Sequence, residues 1–472
     1  MSPIRPISHV KGIVVYIWDP SHPKDEKGRR WRPAGYLVIQ GQAGTTGNFM
    51  YFPDYDGPPL DPLHLDYRPH PPGTPFFPPK GQSLFGVFRD ALPGAFGMSL
   101  LSSYFPEFGR MSDLEKLAWF GHRTQGGLLF VPDFDKTVVT PERYISGMAL
   151  LKAAYDRIIK GQLLKEFFQK NPDPGTGAPE EAVLDRKHVY PFTSHGGYRP
   201  KAEYEAKDGS FYIAKFNKQP EDPYESEVDV EHTILELARR VGLKTAESYV
   251  ATLPGSQERV LFVKRFDRSA TERRHCLTFR TLLGLTDTDF YHTRIDTRDI
   301  GKAMTAIGMG RDQQTALIKT IAFRAAISDT DDNPTNWGVT LNGKTQQWEM
   351  APLYDMIPDY GKAAPFRISL GGIANTSQVR NANFLRAIAR SFPDRAPQEV
   401  ESLVKGVWRD IVHHIGAVVQ DAHLTPRDRK RLGEALDIPG LRAVLQGEPT
   451  AVQTTKKVSG GPRDDEGTRP GF

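Results

Sequence analysis

The sequence is poor in cysteine: Cys276 stands alone among 472 residues. A single cysteine closes no internal disulfide, so the core must hold the chain, and the composition fits a reducing compartment. No run of about 18 apolar residues occurs, which argues against a membrane-spanning helix. The first residues, MSPIRPISHVKG, lack the apolar stretch of a secretory signal, so a cytoplasmic protein is expected. Neither sign of charge dominates. The 61 Lys and Arg face 57 Asp and Glu, and a net charge of +4 neither demands nor excludes a nucleic-acid partner. No internal repeat is visible. Hydrophobic residues at 39% and charged residues at 25% describe a soluble globular protein. The length suggests two to four compact units.

Proline is concentrated instead of scarce. Ten prolines fall within Pro53–Gln82, where regular structure is not expected. Before that stretch, Gly12–Trp18 and Gly35–Ile39 alternate as strands. After it, Leu84–Leu101 reads as an amphipathic helix with a glycine-rich turn. Ser112 to Glu115 forms a capping box for a helix carrying Leu114, Leu117 and Trp119. Thr140–Phe168 reads as further helix, and Asn171–Pro179 as a linker-like break.

The most informative stretch is Ala325–Tyr360. An apolar helical run (Leu317, Ile318, Ile321, Ala322, Ala325) breaks into a loop dense in Asp and Asn. A hairpin follows, with Trp337, Val339 and Leu341 alternating, a turn at Asn342-Gly343, and Trp348 and Met350 on the return. It leads into Pro352-Leu353-Tyr354-Asp355. Asp331 and Asn336 are five residues apart, the spacing of base and metal-binding Asn in kinase catalytic loops. Asp355 returns to the same end, where it can hold a Mg²⁺, an ion that favours oxygen ligands and few of them from protein. An ordinary polar turn between helix and hairpin would show the same composition.

A second stretch runs from Thr193 to Phe216. Glycines at 196 and 197 precede the strand KAEYEA, a Lys207-Asp208-Gly209 turn and the strand SFYIAKF. A glycine loop can turn backbone N–H groups towards phosphates. Lys215 on the second strand sits where kinases place a phosphate-contacting lysine. A plain hairpin with a solvent-facing lysine is the alternative. A helix over Val228–Val241, closed by Gly242, carries Glu231 in its first turn as a partner for Lys215, with Glu225 and Glu227 as rivals. Arg259–Asp267 reads as a strand in the position of a kinase hinge. His413-His414 reads as helix surface, Trp408 and Trp119 as core, Arg427–Arg431 as a solvated helix start, and Pro449–Phe472 as a disordered tail.

These segments, in this order, resemble the HipA family of serine/threonine kinase toxins from toxin–antitoxin systems. LFGVFRDALPGAFGMSLL and DLEKLAWFGHRTQGGLLF resemble the family's N-terminal subdomain, and SHGGYRPKA its phosphate loop. IAKF, VEHTILELARRVGL, VKRFDR and APLYD match further family segments.

The resemblance implies an α+β, protein kinase-like fold. A mainly β N-lobe (136–275) and a helical C-lobe (276–448) would follow an N-terminal subdomain (1–135), with a tail at 449–472. It implies Asp331 as catalytic base, and Asn336 and Asp355 as Mg²⁺ ligands. ATP would contact Gly196, Gly197, Tyr198, Arg199, Lys201, Lys215, Asn333 and Asn336, with Lys264, Arg265 and Phe266 at the adenine. Ser194 would be the autophosphorylated residue, with Thr193 as its neighbour. The implied partners are a protein substrate, such as an aminoacyl-tRNA synthetase, and a HipB-like antitoxin, with DNA reached only through the antitoxin and no membrane.

The sequence departs from the family where the loop D-x-H-x-K-N has Asn333 for His and Thr335 for Lys. A nucleotide-binding regulator without transfer activity is therefore a rival reading. A metal-dependent phosphatase or nuclease built on Asp329, Asp331 and Asp355 would leave the glycine loop and Lys215 unexplained.

Overall fold

The computed structural model of the chain describes residues 12–26, 28–40, 46–92, 94, 97–98, 101–102, 108–121, 124–132, 145–146, 151–152, 200–217, 226–286, 295–359, 365–379, 381–421 and 423–446. Thr193 to Arg199, the Asn171–Pro179 break, Glu225 and the tail from Pro449 lie outside the described residues.

The first sheet is antiparallel. It contains β1 (Gly12–Trp18), β2 (Trp31–Gln40), β3 (Thr46–Tyr51), β4 (Pro75–Phe76) and β5 (Leu128–Pro132), in the order β4-β3-β2-β1-β5. Alternation along β1 sends Ile13, Val15 and Ile17 into the core. The proline-rich span contributes only the two residues of β4. Helix α1 covers Gly86–Arg89 and gives way to a turn through Leu92, and helix is described again at 97–98 and 101–102, so the helix expected over Leu84–Leu101 is interrupted ahead of Pro93. Pro93 has no N–H to extend the helical ladder. Helix α2 (Asp113–Phe120) opens with the expected capping box. Glu115 N–H donates to Ser112 Oγ, and Ser112 N–H donates to Glu115 Oε2.

Ile145–Ser146, expected within a helix, form a short strand, β6, parallel to β7 (Lys201–Glu205). The edge of β7 offers ladder hydrogen bonds, and Ile145 and Ser146 pair with Tyr204 and Glu205 there. With β8 (Phe211–Phe216), β9 (Ser248–Thr252) and β10 (Arg259–Lys264), the second sheet has the order β6-β7-β8-β10-β9. Strand β10 stops at Lys264, short of the expected Asp267: Arg265 N–H still donates to the Phe211 carbonyl, and the chain bends at Phe266–Asp267.

Helix α3 (Glu227–Arg240) buries Val230, Ile234, Leu237 and Ala238, and Gly242 follows it at φ +81°. Because α3 begins at Glu227, its first-turn carboxylates are Glu227 and Asp229, and Glu231 stands just past the first turn where it was expected.

The remaining elements are β11 (Cys276–Thr278), α4 (Phe279–Leu282), β12 (Ile295–Asp296), α5 (Thr297–Ala306), α6 (Arg311–Ile327), β13 (Gly338–Leu341), β14 (Trp348–Met350), β15 (Pro365–Leu370), β16 (Ile373–Asn375), α7 (Ala382–Arg390), α8 (Pro397–Asp421), α9 (Pro426–Leu436) and α10 (Ile438–Gln446). Two small sheets join β11-β13-β14 and β12-β15-β16. The β13–β14 connection is wider than the Asn342-Gly343 pair alone. Asn342 Oδ1 accepts from Lys344 and Thr345 N–H, and Gln346 takes the positive φ, +55°.

Helix α6 is the axis of the helical part, buried continuously from Thr320 to Ile327. Each fully buried Ile or Phe there contributes about 1.5–3 kcal/mol. Trp408 from α8 stacks on Phe384 and donates its indole N–H to the Ala322 carbonyl at 3.0 Å. One core cluster runs from Ile13 in β1 to Val444 in α10, so the first sheet and the helices share a core. Trp119 is only partly buried, and His413 and His414 lie on α8 with their rings 4.7 Å apart. Among the described residues no helix is long and apolar enough to cross a membrane.

Candidate active site

Strand β8 sends Ala214 and Phe216 to one face and Lys215 to the other. The Lys215 side chain is 5% exposed. An ammonium this deep needs charged partners. Nζ donates to Glu231 Oε1 at 2.6 Å and to Asp355 Oδ1 at 2.5 Å. Glu231 comes from α3, which packs on β9 and β10. Lys201 lies directly opposite Lys215 on β7 and is also buried.

Asp355 reaches this point because the chain before it is anchored. Leu353 forms a parallel bridge with Thr245 just after α3: Leu353 N–H donates to the Lys244 carbonyl, and Ala246 N–H to the Leu353 carbonyl. Tyr354 donates its hydroxyl to the Thr335 carbonyl at 3.1 Å, and its ring lies 5.6 Å from that of Phe266. Asp355 then takes φ +55°, a left-handed conformation that Asp tolerates better than most side chains.

The acidic loop starts where α6 ends, with Ser328 at φ +57°. Its three aspartates have different fates. Asp329 is fully buried and paired with the equally buried Arg324, whose guanidinium also lies 4.5 Å from the Trp337 ring centroid. Asp332 is fully buried and accepts the backbone N–H groups of Arg367 and Ile368 at 3.2 and 3.4 Å. Asp331 points outwards, with its side chain 79% exposed.

Burial pushes the Asp329 carboxyl up, Arg324 pulls it down, and the charges of Asp331 and Asp355 push it up again. Tyr354, next to Asp355, donates to the Thr335 carbonyl, which ties the segment carrying Asp355 to the acidic loop. Burial, and then the charge of Asp329, push Asp332 well above the usual carboxylate range.

Asn336 donates its side-chain N–H to the Asp331 carbonyl at 3.0 Å, which binds the two ends of the five-residue spacing together. Asn333 Oδ1 accepts from Thr335 N–H at 2.8 Å and from the Thr335 hydroxyl, forming a local turn. The adenine candidates also have partners. Lys264 pairs with Glu247, the Arg265 guanidinium with Glu203 and Asp267, and Phe266 packs beside Tyr354. Thr193, Ser194, Gly196, Gly197, Tyr198 and Arg199 lie outside the described residues.

Sequence reading missed Arg324, Thr330 and Arg367. An arginine inside the apolar run IAFRAAI was the available signal for a buried ion pair. Thr330 donates to Asp359 at 2.5 Å, and Arg367 reaches Asp331 at 3.9 Å; neither contact leaves a local sequence signature.

Residues 193–415 match the family model of the HipA-like C-terminal domain. Those residues are similar to a HipA-like C-terminal domain. The HipA-like domain takes in β7, β8, α3, the acidic loop and Asp355, so each element that meets at Lys215 lies inside it. The chain is similar to a solved structure from Shewanella oneidensis MR-1, the toxin–antitoxin system HipA in complex with HipB and its operator DNA. Identity is 17%, the match covers 92% of this chain and 98% of that one, and the TM-score is 0.63. This likeness carries the α+β fold. The proinflammatory kinase CtkA of Helicobacter pylori also matches, at 13% identity over 52% of this chain and 95% of that one, with a TM-score of 0.37. No curated protein sequence matches the chain.

Proposed function

We propose that this chain is a HipA-family, ATP- and Mg²⁺-dependent serine/threonine protein kinase acting as the toxin of a toxin–antitoxin pair in the cytoplasm. One observation carries the reading. Lys215 is held by both Glu231 and Asp355, while exposed Asp331 stands five residues before Asn336. On this reading the fold is two-lobed. The second sheet with α3 forms the N-lobe, the helices from α4 onwards form the C-lobe, and the first sheet is the added N-terminal subdomain.

The donor set suits the group it would hold. Asn336 and Asp355 offer oxygen, and Mg²⁺ takes few protein ligands and prefers oxygen. When bound, Mg²⁺ neutralises charge on the phosphate oxygens. Lys215 positions phosphates, with Glu231 fixing its rotamer. Asp331 accepts the proton of the substrate hydroxyl. Positioning and charge neutralisation supply most of the rate, because phosphoryl transfer asks little covalent work of the protein. Gly196, Gly197, Tyr198, Arg199 and Lys201 would cover the phosphates, and Lys264 to Phe266 would meet the adenine. Ser194 would accept a phosphate from the same site, and a charge of about −1.5 to −2 beside ATP would repel the nucleotide and switch the protein off.

The likeness to a HipA solved with HipB supports a HipB-like antitoxin as partner, with DNA reached through it. The substrate proposed from family resemblance is a translation protein such as an aminoacyl-tRNA synthetase. Incubating purified protein, labelled ATP and lysate, followed by identification of the labelled band, tests transfer and substrate together.

The side chain of Asn333 favours a second reading. Its oxygen is engaged by Thr335, so the loop presents an Asx turn where the family presents His and Lys. A nucleotide-binding regulator would bind Mg-ATP by calorimetry and label nothing.

A further inference from the structure

The loop carrying Asp331 has no cation of its own: from 329 to 336 it reads DTDDNPTN. Lys215 is already shared between Glu231 and Asp355. A phosphoryl group approaching a hydroxyl beside Asp331 carries negative charge on three equatorial oxygens. Lys215 and, on the kinase reading, Mg²⁺ offset the charge on the Asp355 side, but the group would also face the carboxylate of Asp331, and both ligand-set side chains of the loop, Asn333 and Asn336, are neutral. Electrostatic balance calls for a cation on the Asp331 side.

Strand β15 supplies one. Its alternation buries Phe366 and Ile368 and turns Arg367 outwards, with the Arg367 side chain 53% exposed. The backbone N–H groups of Arg367 and Ile368 both donate to Asp332 Oδ1, which pins this strand to the acidic loop. From that anchor the guanidinium extends to the base: Arg367 Nε stands 3.9 Å from Asp331 Oδ1, the outer edge of an ion pair. The contact is loose and solvated, so it costs little to exchange for a better anion. A guanidinium stays protonated throughout and grips planar oxyanions with several N–H groups at once.

We propose that Arg367 is a catalytic residue that binds the transferred phosphoryl group, replacing a cation that the loop itself lacks. This rests on the kinase reading above. In the step, the substrate hydroxyl oxygen forms a bond to the γ-phosphorus of ATP. The bond from that phosphorus to the β,γ-bridging oxygen breaks, and ADP leaves with the electron pair. The hydroxyl proton passes to Asp331. Arg367 forms no covalent bond and gives up no proton; its N–H groups hold the equatorial oxygens as charge shifts towards the leaving oxygen.

The test compares wild type, Arg367→Ala, Arg367→Lys and Asp331→Ala in the full chain. It measures kcat, KM for ATP, ATP affinity by calorimetry and the thermal midpoint. Arg367→Ala should lower kcat about 10²-fold or more, the scale of losing one transition-state donor. Its ATP affinity should stay within about twofold and its midpoint should not move, because the strand is pinned by backbone N–H groups that alanine retains. Arg367→Lys should recover part of the rate by restoring the charge without the fork. Unchanged kcat in Arg367→Ala, beside an active wild type and an inactive Asp331→Ala, overturns the role of Arg367 and leaves the kinase reading standing. A loss of kcat matched by a lower midpoint and weaker ATP binding makes Arg367 structural and also overturns it. A wild type that transfers no phosphate overturns the kinase reading and this inference with it.

Discussion

Lys215 Nζ lies 2.6 Å from Glu231 Oε1, and neither side chain reaches solvent to any useful extent. A buried pair of this kind adds little net stability compared with an apolar pair, but removing one partner leaves a charge without compensation. Asp355 remains as a second acceptor and softens the loss. Glu231→Gln should therefore cost about 3 kcal/mol in urea denaturation, at the lower end for broken buried pairs. A loss under about 1 kcal/mol would put the contact in the class of surface ion pairs.

The aspartates of the acidic loop should separate by stability. Asp329→Ala strands the guanidinium of Arg324 in the core and should cost about 3–5 kcal/mol. Asp331→Ala removes an exposed side chain and should change stability by no more than about 0.5 kcal/mol. Thermal or urea melts of the two variants check this. Equal losses would mean that Asp331 is a structural residue.

Much of this arrangement is legible in the sequence, and the parts that are not share a cause. The β7–β8 hairpin, helix α3 and the capping box at Ser112 follow from local periodicity and turn chemistry. The spacing of Asp331 and Asn336 is local too, and the side chain of Asn336 closes on Asp331 across it. What separates Asp331 from its neighbours is tertiary. Asp329 is drawn inwards by Arg324 one helical turn earlier, and Asp332 by backbone N–H groups 35 and 36 residues away. No periodicity announces a strand of two residues such as Ile145–Ser146, which pairs with the distant strand β7. The helix expected across Leu84–Leu101 carries a glycine-rich turn in its own pattern, and α1 ends ahead of it.

Asp332 gives a pH signature. Burial and the neighbouring Asp329 charge raise its folded pKa above that of the unfolded chain. The folded state therefore binds a proton more tightly than the unfolded state. The stabilisation is fully present below the ordinary carboxylate pKa, about 3.9, and is lost as pH rises through the raised folded value. Asp332→Asn keeps an oxygen for the Arg367 and Ile368 N–H groups and does not titrate. Relative to wild type, the variant should gain stability steadily as pH rises above about 4. Urea melts from pH 5 to 8 read the trend, and a gap independent of pH would show that Asp332 is ionised throughout.

The central claim is that Asp331 serves phosphoryl transfer from ATP. The most direct measurement incubates purified wild type and Asp331→Ala with γ-labelled ATP, with and without Mg²⁺, and follows label on protein. The account predicts Mg²⁺-dependent labelling by wild type and a loss of at least about 10²-fold in the folded Asp331→Ala variant. Equal labelling by the two proteins, or none by wild type in the presence of Mg²⁺ and lysate, would contradict it.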